Sequence, residues 1–204
     1  MIPPPDNGVG ILLMNLGTPD APEPAAVRRY LAEFLSDPRV IEIPQLIWQP
    51  ILRGVILRTR PSKSAEAYRQ VWTDEGSPLM AISKRQAAKL RERLGDTISV
   101  GLTMRYGGSI GYVLSKMIDH GYQRILVAPL YPQYCAATTA SAMDAIFAEL
   151  QSMRVQPAIR SLPPYYDDPL YICALESNLQ RQLASLDFTP DRLLLSFHGM
   201  PERT

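Results

Sequence analysis

The 204-residue chain is predicted to be an α/β protein, with a Rossmann-like parallel sheet lobe covered by helices on both faces and the start of a second, similar lobe. Two observations predict this class. Short apolar runs alternate with stretches of helical periodicity, an arrangement typical of parallel strands joined by helices. The apolar fraction of 46% is also typical of a chain that buries a globular core.

The predicted strands are short apolar runs without the alternation of a half-exposed strand. Such runs are typical of parallel strands that are buried on both faces. Five of them occur, at residues 10–16, 98–104, 125–130, 155–161 and 193–197.

Helical periodicity fills the intervals between the strands. Apolar residues recur at helical spacing from Val27 to Leu35 and from Leu79 to Leu94. Two helix starts carry a capping residue followed by proline, at Ser77 and at Asp168. We therefore expect helices to begin at these two points.

The proline-rich segment 162–169 is predicted to connect two lobes, because proline disfavours a helix interior and a central strand. We assign residues 1–162 to the first lobe. Residues 163–204 are predicted to form the linker and the truncated start of the second lobe. One helix and one strand are too little for a separate core, so we expect the second lobe to be incomplete in this chain.

Charge and cysteine content narrow the partners and the compartment. The net charge is +1 with acids and bases interspersed, so we expect a small-molecule ligand and no nucleic acid. Two cysteines without a C-x-x-C motif, and no evident signal peptide, predict a cytoplasmic location. The apolar stretch Ile41 to Leu57 is interrupted by polar residues and is too short for a membrane span. A buried helix, the rim of a cleft and a surface that touches a membrane remain open for it.

Unusual residues follow the predicted strands at 15–20, 105–109 and 131–135, and His198 follows the run 193–197. Because the carboxyl ends of parallel strands meet at one edge, these residues predict a ligand crevice. His120, by contrast, is interpreted as a last-turn helix residue before Gly121. Glycine-rich nucleotide, zinc-protease and hydrolase signatures are absent from the sequence, so no bound nucleotide is expected.

Several motifs, in their order and spacing, resemble those of the ferrochelatase family of class II chelatases. They are G-I-L-L-M-N-L-G-T-P, R-P-S-K-S-A-E-A-Y-R, E-G-S-P-L, M-R-Y-G-G, Y-P-Q-Y-C-A-A-T-T-A-S and L-L-L-S-F-H-G-M-P. The resemblance covers essentially all of this chain but only the amino-terminal portion of the family's length. It implies a lyase of haem biosynthesis, which inserts ferrous iron into protoporphyrin IX or coproporphyrin III in a cleft between two lobes.

The resemblance also implies roles for individual residues. His198 matches the active-site histidine that accepts pyrrole protons or holds the metal, and Arg105 and Tyr106 match an Arg–Tyr pair on the metal-facing side. Leu16 matches a position that faces the porphyrin, where a leucine cannot ligate iron. The positions implied at the porphyrin edge are Arg60, Lys63, Tyr68 and Ser77. The stretch 41–57 matches an apolar lip that contacts membranes.

Two features depart from the family pattern. Ala136 stands where cluster-bearing members have a cysteine, and Cys135 lies one residue earlier, so an iron–sulfur cluster is not supported by this portion. The family's second essential group, a glutamate, has no match, and we expect this chain to be inactive alone. Iron is then expected as a substrate rather than a resident cofactor.

Three other classes of protein are compatible with these residues. A related class II chelatase that inserts cobalt into sirohydrochlorin has a similar fold, but Y-P-Q-Y and R-Y-G-G favour the haem enzyme. A tetrapyrrole-binding module without turnover is the second. A periplasmic-type binding lobe is the third, and the lack of a signal sequence argues against it. The sequence does not indicate an oligomeric state.

Overall fold

The computed structural model describes residues 8–200 and residue 202. Its strands are β1 (Val9–Gly17), β2 (Ser99–Tyr106), β3 (Arg124–Pro129) and β4 (Ala158–Ser161). They form one parallel sheet in the order β2-β1-β3-β4. The helices are α1 (Pro24–Phe34), α2 (Gln45–Ile51), α3 (Leu57–Val71), α4 (Pro78–Leu94), α5 (Ile110–Asp119), α6 (Ser141–Ser152) and α7 (Pro169–Ala184). The predicted α/β class is confirmed.

Helices cover both faces of the sheet because successive strand side chains point in opposite directions. Leu12 of β1 packs in a cluster formed with buried residues of α5 and α6. The next residue, Leu13, packs in a second cluster that contains Ala87 of α4. Two apolar cores therefore enclose the sheet, and the continuous apolar strands predicted from the sequence fit this arrangement.

A third apolar cluster joins α1 to the segment between α2 and α3. Leu35, Leu52 and Leu57 are its buried members, and the Trp48 indole nitrogen donates a hydrogen bond of 2.7 Å to the Leu35 carbonyl. The helix is irregular here, because Pro50 has no amide hydrogen and residues Leu52–Ile56 adopt a π-helical turn.

One side of the 41–57 stretch is buried in this third cluster, and the other side is exposed. Its exposed apolar residues are Ile43, Leu46, Ile47, Ile51 and Val55, with Leu46 as much as 93% exposed. In the part of the chain that the structure describes, no helix combines the length and the hydropathy needed to cross a bilayer. The stretch is therefore not a fully buried helix.

The predicted helix boundaries are confirmed at three places. Asp168 caps α7, since its side chain accepts hydrogen bonds from the amides of Leu170 (2.8 Å) and Tyr171 (3.3 Å). Ser77 occupies the N-cap position of α4. His120 ends α5, where its Nδ1–H donates to the Lys116 carbonyl at 2.6 Å, and Gly121 follows with a positive φ of 86°.

The predicted strand at 193–197 is wrong. This segment has no regular secondary structure, and Leu194 and Phe197 are 89% and 82% exposed. A strand is stable only when a neighbouring strand accepts and donates its backbone hydrogen bonds. The sheet of the described residues ends at β4, so residues 193–197 are not paired with any strand of it. The prediction at 155–161 is confirmed only from Ala158, because Pro157 cannot donate to the ladder.

The proline-rich segment contains neither helix nor strand from Leu162 to Asp168, and α7 begins at its last residue, Pro169. It is tied to the lobe by the Tyr165 amide, which donates to the Pro132 carbonyl at 2.9 Å. The apolar side of α7 beyond it is exposed, and Leu170 is 82% exposed. The division into lobes at residue 162 remains a prediction.

Candidate active site

The strand order places a ligand-binding edge at the carboxyl ends of β1, β2 and β3. The chain leaves β1 to form β2 on one side and then returns to form β3 on the other, so the direction of winding reverses beside β1. Crevices outside the carboxyl ends at such a reversal are the usual ligand sites of open α/β sheets. The predicted convergence of residues 15–20, 105–109 and 131–135 is present at this edge, since Gly17 pairs with Tyr106 and Met14 with Pro129.

Glycine is required where β1 and β2 end. Gly17 has a φ of 113°, and a Cβ atom there would lie 2.0 Å from the Tyr106 carbonyl oxygen. Gly108, in the turn after β2, is equally crowded, because a Cβ atom added there would lie 2.2 Å from the Met104 carbonyl oxygen. The two strand ends are therefore in contact through their backbones.

A buried hydrogen-bond network centred on Asp37 lies at this edge. Asp37 Oδ2 accepts hydrogen bonds from Arg105 Nη2 (2.6 Å), the Tyr106 hydroxyl (2.8 Å) and the Ser141 hydroxyl (2.5 Å). Its Oδ1 accepts the Arg39 amide at 2.7 Å. The side chain of Asp37 is only 3% exposed. Residues from the α1–α2 loop, the end of β2 and the start of α6 thus meet at one carboxylate.

The network keeps Asp37 ionised. Burial is the largest single influence on its pKa and opposes ionisation, but the hydrogen bonds from Ser141, the Arg39 amide and Tyr106, together with the Arg105 charge, outweigh it. The pKa of Asp37 is consequently lowered from its ordinary value. Asp37 is therefore an anion beside the Arg105 cation, and the pair is nearly neutral as a unit.

Tyr106 is fully buried against helix α1. Its ring meets Tyr30 and Phe34 edge-on, at centroid distances of 6.4 and 5.1 Å. The i, i+4 spacing of Tyr30 and Phe34 places both rings on the same face of α1. Burial raises the pKa of Tyr106, and its hydrogen bond to the Asp37 anion acts in the same direction. The Tyr106 hydroxyl is therefore a neutral donor inside the network and is not presented to a crevice.

Arg105 is held by one side of its guanidinium group. Nε donates to the Ser141 carbonyl (3.0 Å) and hydroxyl (2.7 Å), while Nη2 donates to Asp37. Nη1 lies 3.9 Å from Oε1 of Glu33, whose other oxygen accepts the Gly107 amide at 2.9 Å. The side chain is 18% exposed. Nη1 is thus the guanidinium nitrogen with the longest polar contact, the 3.9 Å ion pair with Glu33.

The other predicted ligand-binding residues have different surroundings. Arg60 and Lys63 are exposed on α3, and Ser77 is buried at the start of α4. Tyr68 is half-buried on α3, and its burial raises its pKa. Tyr68 also contributes to the raised pKa of Tyr30, for which burial is the main cause. Tyr68 therefore lies close to Tyr30, whose ring packs edge-on against Tyr106. Arg60 and Lys63 are exposed and do not belong to this group of tyrosines.

Leu16 is half-buried at the end of β1, and its amide donates to Oδ1 of the preceding Asn15 at 2.8 Å. The Asn15 amide group in turn donates to the Ser83 hydroxyl of α4 at 3.0 Å. The backbone at Leu16 is thereby fixed relative to α4. This position lies next to Gly17, which pairs with Tyr106.

The structure does not bring His198 into the buried network. His198 is exposed, and its Nδ1–H donates to the Gly199 carbonyl at 2.8 Å. This bond leaves Nε2 as the ring nitrogen with a lone pair available for a proton or a metal ion. The expectation that His198 follows a buried strand is wrong, because residues 193–197 form no strand.

The sequence interpretation did not identify Asp37 and Ser141 as residues of this edge, and it did not predict the burial of Tyr131. Asp37 precedes a proline and resembles an ordinary turn residue, and Ser141 ends the Y-P-Q-Y-C-A-A-T-T-A-S motif without an implied role of its own. The Tyr131 hydroxyl is buried and has no hydrogen-bond partner in the described residues, and burial raises its pKa. The Y-P-Q-Y motif marked its position but not this burial.

Within residues 8–200 and residue 202, no three His, Cys, Asp or Glu side chains approach closely enough to hold a metal ion. Cys135 is half-buried and Cys173 is exposed, and both are free thiols.

The sheet order and the polar edge are those of an open α/β protein, a class whose ligands usually bind at the carboxyl ends of parallel strands. A sequence model of the ferrochelatase family matches residues 8–204. The chain belongs to the ferrochelatase family, as the resemblance predicted.

Three bacterial relatives show how far this similarity extends. Ferrochelatase 2 of Shewanella oneidensis is 53% identical over 199 residues, which cover 96% of this chain and 61% of the relative. The ferrochelatase of Shewanella denitrificans is 52% identical, covering 97% of this chain and 61% of the relative. The Mesorhizobium japonicum ferrochelatase is 51% identical, with 95% and 56% covered. The chain thus spans about three-fifths of the length of these relatives.

Proposed function

We propose that this chain forms part of an enzyme that inserts ferrous iron into protoporphyrin IX or coproporphyrin III in haem biosynthesis. The observation that carries the proposal is the family match over residues 8–204, and the Arg105–Tyr106 pair of the motif lies at the ligand-binding edge. In the reaction, Fe²⁺ replaces two pyrrole protons, and both protons must leave the macrocycle. The site therefore needs a proton acceptor and a way to hold a large flat anion.

His198 is our candidate for the proton acceptor or the metal ligand. A neutral imidazole whose Nδ1–H is engaged has Nε2 free for either task. Arg60, Lys63, Tyr68 and Ser77 are proposed to contact the porphyrin edge, where cations and hydroxyls can pair with propionates. Leu16 is proposed to face the macrocycle as an apolar surface.

We further propose that the exposed apolar residues of the 41–57 stretch contact the membrane surface from the cytoplasmic side. Leu46 and Ile47 protrude furthest, and Arg53 lies close by in the chain, a combination typical of peripheral attachment. Leu46→Glu should reduce co-sedimentation with anionic phospholipid vesicles and leave the far-ultraviolet circular dichroism unchanged. Equal sedimentation of the wild type and the variant would contradict the contact. Leu170→Glu is the matched control, since it changes an exposed leucine on another helix.

The metal-insertion proposal is tested with the protein at its full encoded length. Under anaerobic conditions, Fe²⁺ should convert protoporphyrin IX or coproporphyrin III to the metallated product, followed by the change in the Soret band. Turnover of Co²⁺ with sirohydrochlorin alone would identify a different chelatase. Tight porphyrin binding without turnover would identify a binding module, and no binding of any of the three tetrapyrroles would refute the assignment.

A further inference from the structure

The guanidinium of Arg105 is clamped by two residues to which the proposed function assigns no role. Ser141 engages Nε through both its carbonyl and its hydroxyl, and Asp37 engages Nη2. A guanidinium group held at Nε and Nη2 cannot rotate about its terminal bonds without breaking these contacts. Its remaining nitrogen, Nη1, therefore has one fixed direction.

Asp37 is itself fixed by contacts that do not involve Arg105. Its Oδ1 accepts the Arg39 amide, and its backbone carbonyl accepts the amides of Val40 (3.0 Å) and Ile41 (2.9 Å). Ser141 is fully buried at the first position of α6, directly after a π-helical turn at Ala136–Ala140. The clamp thus takes its position from the fold and not from the arginine that it holds.

The clamp also changes the charge at the ligand-binding edge. Arg105 alone would repel an approaching Fe²⁺ ion, but the Asp37 carboxylate at 2.6 Å offsets its charge. Glu33, half-exposed with Oε1 3.9 Å from Arg105 Nη1, adds a second negative charge beside Arg105. The group of three therefore has a net charge of −1, which favours a cation.

We propose that Asp37 and Ser141 are positioning residues for Arg105: they direct its Nη1 side towards the crevice and, through the Asp37 charge, lower the electrostatic barrier to ferrous iron. This inference rests on the proposed function. It adds Asp37 and Ser141, for which the resemblance implies no role, to the part of the site formed by Arg105 and Tyr106. Neither Asp37 nor Ser141 touches the substrate in this proposal.

Steady-state kinetics of the full-length protein test the proposal. Asp37→Asn should lower kcat about tenfold and raise the KM for Fe²⁺, with the KM for porphyrin unchanged, because the propionate-binding residues lie elsewhere. Ser141→Ala removes only the hydroxyl and should have a smaller effect in the same direction. Asp144→Asn is the matched control, since its carboxylate pairs with Arg39 on the surface outside the clamp.

A double-mutant cycle separates positioning from a general loss of structure. If Asp37 acts through Arg105, Asp37→Asn should change kcat less than about twofold in an Arg105→Leu background. A tenfold loss in both backgrounds, or no loss in the wild-type background, overturns the proposal. If Asp37→Asn does not fold, Ser141→Ala takes its place in the same cycle.

A second measurement does not depend on turnover. The Arg105 Nε–H resonance in a ¹H–¹⁵N spectrum should be protected from solvent exchange in the wild type and in Asp144→Asn, and should lose protection in Ser141→Ala and Asp37→Asn. If the wild type shows no chelatase activity, the proposed function fails, while this spectrum still decides whether the clamp holds Arg105. Unchanged protection in both clamp variants overturns the proposal.

Discussion

Arg105 and His198, two of the residues expected to take part in catalysis, lie in different surroundings. Arg105 is 18% exposed and is bound by Asp37 and Ser141, which belong to other parts of the chain. His198 is exposed in a segment without regular structure and hydrogen-bonds to its own neighbour, Gly199. One group is preorganised by the fold of this lobe, whereas the other needs further contacts before its position is defined.

In this contrast, Arg105 is a group that the fold positions, and His198 is the group proposed to carry out the chemistry. At the end of β2, the Arg105 guanidinium group is hydrogen-bonded to Ser141 and ion-paired with Asp37 before any ligand arrives. The segment 193–200 exposes apolar side chains and leaves the imidazole accessible. The two regions should therefore contribute to activity and to stability in different ways.

The largest effect is expected at His198. His198→Ala should lower the rate of metal insertion at least ~100-fold in the full-length protein, because the nitrogen that receives protons or metal is lost. Porphyrin binding, followed by fluorescence quenching, should change little, and so should thermal stability, because the side chain is exposed. His120→Ala is the control, since His120 only ends α5. Retention of most of the wild-type rate in His198→Ala would remove this residue from the mechanism.

Arg105→Leu should show a smaller loss of rate and a larger loss of stability. The rate should fall about 10- to 100-fold, because a positioned charge is lost while the base remains. The free energy of unfolding should fall by about 3 kcal/mol, because Asp37 would be left as a buried carboxylate without its cation. Urea unfolding gives this value. A variant as stable as the wild type would show that the Asp37–Arg105 pair contributes little to the fold.

Arg60→Ala and Lys63→Ala should each raise the KM for porphyrin about 3- to 10-fold with kcat unchanged, as expected for contacts made equally in the ground and transition states. The two side chains share one face of α3 at i, i+3 spacing. Arg58→Ala, an exposed arginine of the same helix, is the control. A fall in kcat without a change in KM would place the propionates elsewhere.

The smallest effect is expected in the way that Asp37 makes the free energy of unfolding depend on pH in the acid range. The pKa of Asp37 is lowered in the folded protein, so as the pH falls the unfolded chain takes up this proton first, near pH 4. Asp37 therefore stabilises the fold fully above about pH 4 and loses that contribution as the pH falls through its lower folded pKa. Asp37→Asn should be less stable at pH 7, and the difference from the wild type should shrink below pH 4.

Chemical denaturation at a series of pH values, followed by the fluorescence of Trp48 and Trp72, measures this difference. Asp144→Asn serves as control, because its carboxylate is half-exposed and lies outside the buried network. A constant difference between Asp37→Asn and the wild type from pH 7 to pH 3 would show that Asp37 does not titrate in the way that its contacts predict.

The first three strands of the sheet were predictable because each one corresponds to an apolar run that can be recognised in the local sequence. The runs at 10–16, 98–104 and 125–130 became β1, β2 and β3 with small shifts at their ends, since each is a continuous apolar segment between helical patterns. The run at 193–197 is equally apolar and forms no strand. Apolar composition indicates that a segment can be buried, but only a partner strand supplies its hydrogen bonds.

The candidate site was predictable only in part, for a related physical reason. Arg105 and Tyr106 stand in a recognisable motif at the end of a strand. Asp37 and Ser141 are separated from Arg105 by 68 and 36 positions, so their contacts depend on tertiary packing. Asp37 is buried and accepts hydrogen bonds from four donors, but its local sequence, D-P-R, is also typical of an aspartate in a solvent-exposed turn.

The contact between Gly17 and the Tyr106 carbonyl limits which sequences this lobe can tolerate. A side chain at position 17 would have to occupy the place of a backbone oxygen, and it would also need a φ that L-residues rarely adopt. Any accommodation must separate β1 from β2 at the level of Arg105. A substitution at Gly17 would therefore be recorded in a genetic screen as a catalytic defect, although position 17 carries no functional group of its own.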